Sequence, residues 1–403
     1  MSSKVYRDGQ GGEVMKKFIS GNDAVAEGVR LAKPHVISAY PITPQTIAVE
    51  RLSEMVEDGS LKAEYMHVES EHSALACAMG VSSVGARAFT ATSSQGLLYM
   101  AECLPYASGA RMPIVMMNAN RALATPWNIY GDQMDSMFLL NSGWIQVYVE
   151  DAQEALDMMI QAYKIAEHPE VLAPMMVNLD GFVLTHTYEL VEIPNQEDVD
   201  AYLPPIQLSH QIMDINEPKS LCISAGNDFN FEFKIKQEKD LQSSRKVIRE
   251  VDESFGKKFG RYYNGMVDAY MCEDAEVVLL TTGSVTGTTR IVVDQLREKG
   301  HKVGVLKLRY IRPFPEVEVR EILKDVKRIG VVDKNISFGY EGTIFTNVNS
   351  ALLSMENAPE SLNFIGGLGG RDITKENIEA AYMSLLSDEK LDKLNYMNVR
   401  CDI

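Results

Sequence analysis

Two short stretches, Ser38-Ala-Tyr-Pro-Ile-Thr-Pro44 and His67-Val-Glu-Ser-Glu-His-Ser-Ala74, stand about thirty residues apart in the chain. Each reads as the polar, turn-forming end of an apolar strand, and the second places carboxylates where a helix is expected to begin. A carboxylate in such a position can bind and activate a nitrogen heterocycle. The sequence contains no Cys-x-x-Cys pair and no recognisable diphosphate-binding loop. These features predict one half of an active site.

Apolar strands alternate with helical patterns around these stretches. Strands are predicted in the first half of the chain at 35–40, 65–68, 86–92 and 113–120. Helices are predicted between them, at 23–32, at 73–85 and from residue 93 onward. Continuous apolar strands separated by helices predict a parallel sheet that is covered on both faces. A second α/β unit is predicted to start near Asp274.

This alternation divides the chain into four predicted parts. They are a flexible lead-in at 1–16, a first α/β domain at 17–194, a connecting arm at 195–265 and a second, smaller α/β domain at 266–403. The arm is assigned because its sequence is polar, charged and Pro-containing, with a charged helical stretch near its end.

Composition excludes several classes of function. The 403 residues carry a net charge of −17, which argues against binding to nucleic acid or to an anionic membrane surface. That acidity is explained by solubility, with a basic electron carrier as the alternative. No apolar run approaches the ~18 residues that span a bilayer, and the first residues lack the apolar segment of a signal peptide. Five scattered cysteines predict reduced thiols in a cytoplasmic protein, with no iron–sulfur cluster held by this chain.

Polar clusters follow four of the predicted strands. In open parallel sheets, ligands bind beyond the carboxyl ends of the strands. The clusters at those ends lie at 40–46, 69–73, 90–95 and 118–135. Their shared position favours a single ligand site.

Taken one at a time, the same clusters have purely structural explanations. Thr43 could cap a helix after a rigid Pro-rich turn, and Glu69 and Glu71 could be favourable charges at a helix N-terminus. Arg121 could form a surface salt bridge, although an Arg at a strand end also suits a carboxylate ligand through a bidentate fork. Only the clustering distinguishes a site from four local features.

Seven motifs resemble one protein family, the 2-oxoacid:ferredoxin oxidoreductases, and specifically its α subunit. In the first domain they are Ala39-Tyr-Pro-Ile-Thr-Pro-Gln-Thr, Val68-Glu-Ser-Glu-His-Ser-Ala, Phe89-Thr-Ala-Thr-Ser-Ser-Gln-Gly, and Asn120-Arg-Ala-Leu-Ala followed by Gly131-Asp-Gln-Met-Asp-Ser. In the second they are Arg312-Pro-Phe-Pro, Asp333-Lys-Asn-Ile-Ser-Phe-Gly and Gly366-Gly-Leu-Gly-Gly-Arg-Asp. The resemblance runs from about residue 17 to the end, with the pyruvate and branched-chain enzymes as nearest kin.

The resemblance implies a thiamine-diphosphate enzyme whose cofactor site is split across chains. This chain would supply the pyrimidine-binding domain and then a transketolase C-terminal-like domain, with no metal of its own. A partner β subunit would hold the diphosphate and Mg²⁺, which agrees with the absence here of a Gly-Asp-Gly run followed by a paired Asn. A γ subunit and a ferredoxin-like δ subunit would complete the assembly, with the [4Fe-4S] clusters on the partner chains.

The implied reaction is the oxidative decarboxylation of a 2-oxo acid. Its products are acyl-CoA, CO₂ and a reduced ferredoxin or other low-potential acceptor, with coenzyme A as co-substrate. The resemblance favours pyruvate, but Trp127, Tyr130 and Met134 could equally line a pocket for a branched or aryl 2-oxo acid such as 2-oxoisovalerate or phenylglyoxylate. One or a few methylenes are worth only about 1–3 kcal/mol of discrimination, so the sequence leaves the substrate open.

Individual roles follow from the resemblance, residue by residue. Glu71 matches the carboxylate that activates the cofactor, and Arg121 matches the residue that binds the substrate carboxylate. Thr43 matches a hydroxyl that contacts the substrate near the cofactor. Further candidates are cofactor contacts at Pro41, Thr92, Ser93 and Gln95, and a substrate contact or loop support at Asn120, Asp132 and Asp135. For Thr92, Ser93 and Gln95, helix capping is the alternative explanation.

Two other functions remain open at this point. A transketolase-like subunit, or a 2-oxoacid dehydrogenase β-type subunit, would present a carboxylate to the same ring without iron–sulfur partners. A non-catalytic assembly subunit would keep the fold but would not need Glu71. The Gly366–Gly370 run lacks the order of a dinucleotide-binding motif and is interpreted as a turn.

Overall fold

The computed structural model describes residues 4–7, 13–207, 213–218, 220–387 and 392–400, with side chains from residue 15 onward. The strands are β1 (Lys4–Arg7), β2 (Glu13–Ser20), β3 (Val36–Ala39), β4 (Glu64–His67), β5 (Ala88–Thr92), β6 (Val115–Asn120), β7 (Ile145–Tyr148), β8 (Met175–Asp180), β9 (Tyr188–Ile193), β10 (Val267–Tyr270), β11 (Val277–Thr281), β12 (Val303–Leu308), β13 (Tyr310–Arg312), β14 (Arg328–Asp333), β15 (Glu360–Ile365) and β16 (Leu394–Tyr396).

The α-helices occupy most of the connections between these strands. They are α1 (Gly21–Ala32), α2 (Thr46–Glu57), α3 (Glu71–Ser83), α4 (Ser94–Tyr99), α5 (Cys103–Gly109), α6 (Met134–Phe138), α7 (Ala152–Ala166), α8 (Gln196–Tyr202), α9 (Asn230–Phe259), α10 (Val285–Glu298), α11 (Glu316–Leu323), α12 (Thr343–Leu352) and α13 (Lys375–Leu386). In the part of the chain so described, no helix is both long and apolar enough to cross a bilayer.

The first domain contains a seven-stranded sheet in the order β13-β7-β8-β6-β5-β3-β4. All of its neighbouring strands are parallel except the edge pair β13 and β7. Every residue of β5, β6, β7 and β8 is buried, as expected for strands covered on both faces. The predicted parallel sheet is confirmed. The carboxyl ends of β3, β4, β5, β6 and β8 therefore meet at one edge of the sheet.

Helix α1 shows how the local sequence specifies one of the covering elements. The Ser20 hydroxyl accepts a hydrogen bond from the Asp23 backbone N–H at 3.2 Å, and the Asp23 carboxylate accepts one from the Ser20 N–H at 3.3 Å. This capping box satisfies two N–H groups that a helix start leaves unpaired. Further along, a Cβ on Gly28 would lie 2.5 Å from the Leu156 carbonyl oxygen, so glycine permits the close packing of α1 on α7.

The second domain is a smaller α/β unit with a six-stranded sheet in the order β10-β12-β11-β14-β15-β16. Only β10 runs antiparallel to its neighbour, and the other pairs are parallel. Buried apolar side chains of β11, β12 and β15 pack with those of α10 and α13 to form its core. The predicted second α/β unit is thereby confirmed.

The bounds of the predicted division stay a prediction, and the structure adds three details to them. Residues 13–16, placed in the lead-in, belong to β2, which pairs with β9 in a separate three-stranded sheet. The connecting arm contains α8 and the 30-residue helix α9. Strand β13 lies beyond residue 266 but joins the first sheet by pairing with β7. Of the predicted lead-in and arm, residues 1–3, 8–12, 208–212 and 219 lie outside the described residues.

A buried ion cluster joins the two domains. Glu154 on α7 is 1% exposed and accepts hydrogen bonds from Lys307 Nζ at 2.6 Å and Arg309 Nε at 2.8 Å. Burial alone would raise the pKa of Glu154, but the charges and hydrogen bonds of Lys307 and Arg309 outweigh it and lower that pKa to about 2. Glu150 adds a second carboxylate 3.0 Å from Lys307. Because both cations are buried, removing their partner leaves uncompensated charge.

We expect Glu154→Gln to lower the free energy of unfolding at neutral pH by about 3–5 kcal/mol, since it breaks a buried ion pair from one side. The pKa of Glu154 is depressed below its usual 4.5, so its stabilisation is full above that value and is lost as the pH falls towards about 2. Urea titrations at several pH values should therefore show the difference between variant and wild type shrinking in that window.

The matched control is Glu253→Gln, which removes an exposed carboxylate 2.6 Å from Lys257 on α9. That pair is solvated, so this substitution should change stability far less than Glu154→Gln does. Equal effects of the two substitutions would contradict the importance assigned to the buried cluster.

Candidate functional site

The carboxyl edge of the first sheet brings the four predicted polar clusters together. They follow β3, β4, β5 and β6, and the neighbouring strand β8 ends at the same edge in Asp180. This is the position at which open parallel sheets bind ligands.

Glu71 is the first residue of α3, and its side chain points into the protein with 8% exposure. A Cβ on Gly96 would lie 2.6 Å from Glu71 Oε1 and 2.8 Å from Thr92 Oγ1, so only glycine fits between them. None of the described residues donates a hydrogen bond to the Glu71 carboxylate, and the buried Thr92 hydroxyl likewise has no partner among them. Buried polar groups are normally paired, so this pocket offers unused hydrogen-bonding capacity to a ligand.

Glu69, two residues earlier, is separate from this pocket. It is exposed, and its carboxylate accepts a hydrogen bond from the Ser73 hydroxyl at 2.5 Å. That hydrogen bond lowers the pKa of Glu69. Glu69 is therefore a charge at the helix start, as the sequence suggested, while Ser70 caps α3 by accepting from the Ser73 N–H at 3.2 Å.

Arg121 immediately follows β6 and is 6% exposed. Two carbonyl oxygens orient its guanidinium: Nη1 donates to Thr43 O at 2.8 Å and Nε donates to Asn128 O at 3.2 Å. The Trp127 ring lies over it, 5.7 Å from Cζ to the ring centroid. Burial lowers the pKa of Arg121, and the charge of Asp135 acts against that shift. No described residue accepts a hydrogen bond from Nη2, so this nitrogen can donate to a ligand.

Asp135 is fully buried and holds the strand ends in place. Its Oδ2 accepts from the backbone N–H groups of Ser94 at 3.0 Å and Arg121 at 3.1 Å. Its Oδ1 accepts from the side chain of Asn120 at 2.8 Å and the N–H of Ser136 at 2.7 Å. Burial raises the pKa of Asp135 to about 6, with these hydrogen bonds acting in the opposite direction. The carboxylate thereby ties the end of β6 to the start of α4.

The remaining predicted residues are placed as follows. The backbone carbonyl of Thr43 accepts a hydrogen bond from Arg121. Thr43 does not cap α2, because the N-cap residue of that helix is Gln45, whose side chain makes no capping hydrogen bond. The Ser93 hydroxyl donates to Ala119 O at 2.6 Å. Gln95 accepts from the Ser94 hydroxyl, and Pro41 is exposed on the loop after β3.

Contacts from the second domain also hold the loop after β6. Asp132 Oδ2 accepts from the Gly369 N–H at 2.9 Å, and the Gln133 N–H donates to Lys334 O at 2.9 Å. Lys334 Nζ lies 2.8 Å from Asp180 Oδ1 in a buried ion pair. Asp180 and Lys334 were not among the predicted site residues. The signal for Asp180 was present, because it ends an apolar strand before Gly181, in the same kind of position as the four predicted polar clusters.

A cavity of about 1020 Å³ lies between this loop and the second domain. Its walls include Gln95, Met134, Arg312, Asn335 and Phe338, but neither Glu71 nor Arg121. The described part of the chain contains no group of three or more His, Cys, Asp and Glu side chains that could hold a metal ion.

The fold and the site together define an α/β protein that presents a buried carboxylate at the carboxyl edge of a parallel sheet. Residues 27–253 match the family described as pyruvate flavodoxin/ferredoxin oxidoreductase, thiamine diphosphate binding. Residues 275–378 match pyruvate:ferredoxin oxidoreductase core domain II. The chain belongs to this family as an α subunit of a 2-oxoacid:ferredoxin oxidoreductase, which confirms the resemblance seen in its motifs.

Named relatives cover nearly the whole chain. Pyruvate synthase subunit PorA of Methanothermobacter thermautotrophicus is 50% identical over 90% of this chain and 93% of its own length. Ketoisovalerate oxidoreductase subunit VorA of Pyrococcus horikoshii is 43% identical over 94% of this chain and 96% of its own length.

A solved structure has the same fold. It is a 2-oxoglutarate:ferredoxin oxidoreductase from Magnetococcus marinus with 2-oxoglutarate, coenzyme A and succinyl-CoA bound. The TM-score is 0.70 at 20% identity, and the match covers 93% of this chain and 65% of that one.

We expect Asp135→Ala to destabilise the protein by about 3 kcal/mol or more, because buried backbone donors at Ser94, Arg121 and Ser136 would lose their acceptor. Denaturant titration measures this loss. Asp58→Ala is the control, since Asp58 accepts from the Ser60 N–H at 2.8 Å on the exposed surface. A loss for Asp135→Ala as small as that for Asp58→Ala would show that Asp135 does not support the loop.

Proposed function

We propose that this chain is the α subunit of a complex that oxidatively decarboxylates a 2-oxo acid, with pyruvate favoured, to acyl-CoA, CO₂ and reduced ferredoxin. The observation that carries the proposal is the buried Glu71 carboxylate, which lies beside Thr92 and lacks a partner among the described residues. The family match and the names of the relatives support the reaction class.

The hydrogen-bonding groups of Glu71 and Thr92 suit the aminopyrimidine ring of thiamine diphosphate. A ring nitrogen needs a hydrogen-bonding carboxylate, and an exocyclic amine needs acceptors; the unused capacity of Glu71 and Thr92 matches both. When bound, the cofactor supplies an electron sink for decarboxylation next to a carbonyl carbon. Glu71 would share a proton with the ring nitrogen, at the start of α3 where the helix dipole favours its negative charge.

Arg121 is the proposed binding group for the substrate carboxylate. Its guanidinium is already oriented by Thr43 O and Asn128 O, and its Nη2 can donate to an incoming oxygen. Such an arrangement holds a 2-oxo acid with its scissile bond in a fixed direction, which is an orientation effect. Asn120 supports the loop through Asp135 and Ser136, with its own Oδ1 buried and without a partner in the described structure.

The other half of the site is assigned to partner chains. We infer that a β subunit holds the diphosphate and Mg²⁺, that partner chains carry [4Fe-4S] clusters, and that γ and δ subunits complete a cytoplasmic complex. Electrons would pass to ferredoxin or another low-potential acceptor, and the acyl group to coenzyme A. The absence of a diphosphate-binding run from the sequence supports this division.

The choice of 2-oxo acid rests on the relatives. Pyruvate synthase subunits reach 50% identity and ketoisovalerate oxidoreductase subunits 43%, which favours pyruvate. A branched-chain acid is the second candidate, because a ketoisovalerate oxidoreductase subunit is also 43% identical to this chain.

Glu71→Gln should reduce the turnover of the assembled complex at least ~100-fold, because the amide cannot hold the ring proton as the carboxylate does. Glu69→Gln is the matched control on the same turn and should leave turnover within about twofold, as expected for an exposed helix-start charge. Steady-state dye reduction measures both. An active Glu71→Gln complex would favour a non-catalytic role for this chain.

The reaction is tested by anaerobic reduction of a viologen dye by the natively purified complex with coenzyme A. The substrates compared are pyruvate, 2-oxoisovalerate, 2-oxoglutarate and phenylglyoxylate, and we expect the highest kcat/KM with pyruvate. A preference for 2-oxoisovalerate would select the branched-chain candidate. No reduction with any of the four would contradict the proposed reaction, and decarboxylation by this chain alone would contradict the split site.

A further inference from the structure

The Gly366–Gly370 run has no role in the function described so far. In the structure it forms a turn of the second domain that lies against the loop after β6. Asn128 Nδ2 donates to Gly369 O at 3.0 Å, and the Gly369 N–H donates to Asp132 at 2.9 Å. The two domains therefore exchange hydrogen bonds in both directions at this point.

Only glycine is compatible with this contact. Gly369 and Gly370 have φ values of +62° and +78°, in the left-handed region that other residues rarely adopt. A Cβ on Gly369 would lie 2.7 Å from Asn128 Nδ2, and one on Gly370 would collide with the Cβ of Tyr130. The turn is thus shaped to bring its backbone against residues 128–132.

Asn128 connects this turn to Arg121. Its backbone carbonyl accepts from Arg121 Nε at 3.2 Å, while its side chain donates to Gly369 O and accepts from the Tyr130 N–H at 2.7 Å. The side-chain bonds fix the peptide that orients the guanidinium. Residues 121 and 369 are far apart in the chain, so only the packing of the two domains brings about this connection.

We propose that the Gly366–Gly370 turn, acting through Asn128, positions Arg121 for the carboxylate of the 2-oxo acid. The second domain then sets the direction in which the first domain presents its guanidinium. Asn128 is proposed as a positioning residue, since its carbonyl acts through Arg121. This inference rests on the proposed function, in which Arg121 binds that carboxylate.

The expected effect follows from the geometry. Without its side-chain bonds, the Asn128 peptide can rotate, and the Arg121 Nε–H loses an aligned acceptor. A hydrogen bond from a charged donor is worth more than a neutral one, so a less well oriented guanidinium should bind the carboxylate of the oxo acid less tightly. Because the clamp acts on binding of the oxo acid, KM should change more than kcat.

The test uses Asn128→Ala in the assembled complex. We expect KM for the 2-oxo acid to rise roughly tenfold, kcat to change less than about twofold, and KM for coenzyme A to stay the same. Gly369→Ala should produce the same pattern from the other domain. The control is Tyr270→Phe, which removes an exposed hydroxyl donor to Asp294 Oδ1 at 2.7 Å. Tyr270 lies on β10, at the edge of the second sheet opposite the end that contains β15, and its substitution should leave all three constants unchanged.

A double-mutant cycle with Arg121→Lys separates the positioning role of Asn128 from the carboxylate-binding role of Arg121. Lysine keeps the charge but lacks Nε and the planar fork, so Arg121→Lys should itself raise KM for the oxo acid. If Asn128 acts through Arg121, Asn128→Ala should add little in the Arg121→Lys background.

Full additivity, or an unchanged KM in Asn128→Ala while Arg121→Lys raises it, would overturn the positioning role and leave the proposed function intact. An unchanged KM in Arg121→Lys would instead remove the carboxylate-binding role of Arg121 itself. If Asn128→Ala lowered kcat and also raised the KM values of both the oxo acid and coenzyme A, the contact would be merely structural. That result would also overturn the positioning role.

Discussion

The buried carboxylate of Asp135 is the interaction on which the geometry of the site depends. It accepts hydrogen bonds from the backbone N–H groups of both Ser94 and Arg121, so one side chain fixes the ends of β5 and β6 relative to each other. These N–H groups lie where the chain leaves the sheet and cannot be satisfied by strand pairing. Burial raises the pKa of Asp135 to about 6, which is the electrostatic cost of placing the carboxyl there.

The second domain contributes to the site although its own core lies apart from it. Lys334 pairs with Asp180 at the carboxyl edge of the first sheet, and Lys307 and Arg309 pair with Glu154 further along the interface. Buried ion pairs add little net stability, but breaking one is costly, so they favour a single arrangement of the domains. The interface therefore fixes the direction of the loop that carries Arg121.

The site keeps hydrogen-bonding capacity that the described residues do not use. Glu71 and Thr92 are buried with capacity for further hydrogen bonds. Exposed aromatic side chains lie nearby: Trp127 and Tyr130 belong to the loop after β6, and Phe338 lines the cavity. Unpaired buried groups cost free energy in an isolated chain, and exposed aromatic surface is typical of sites that another molecule covers. Both features are consistent with a chain that completes its active site on assembly.

Periodicity, helix caps and short motifs are local properties of the chain, so the sequence predicted the parallel sheet of the first domain, the second α/β unit, the family and a helix start near Glu71. It did not predict strands such as β7, β8 and β15. The contact of the Thr43 hydroxyl with substrate stays a prediction, and the structure adds that the Thr43 carbonyl orients Arg121 and that the Ser93 hydroxyl is bonded to Ala119 O. The pairing of β13 with the first sheet and the hydrogen bond between Asn128 and Gly369 could be seen only in the folded chain. These contacts join residues more than 150 positions apart, and no local pattern encodes which distant backbone groups will come within hydrogen-bonding distance.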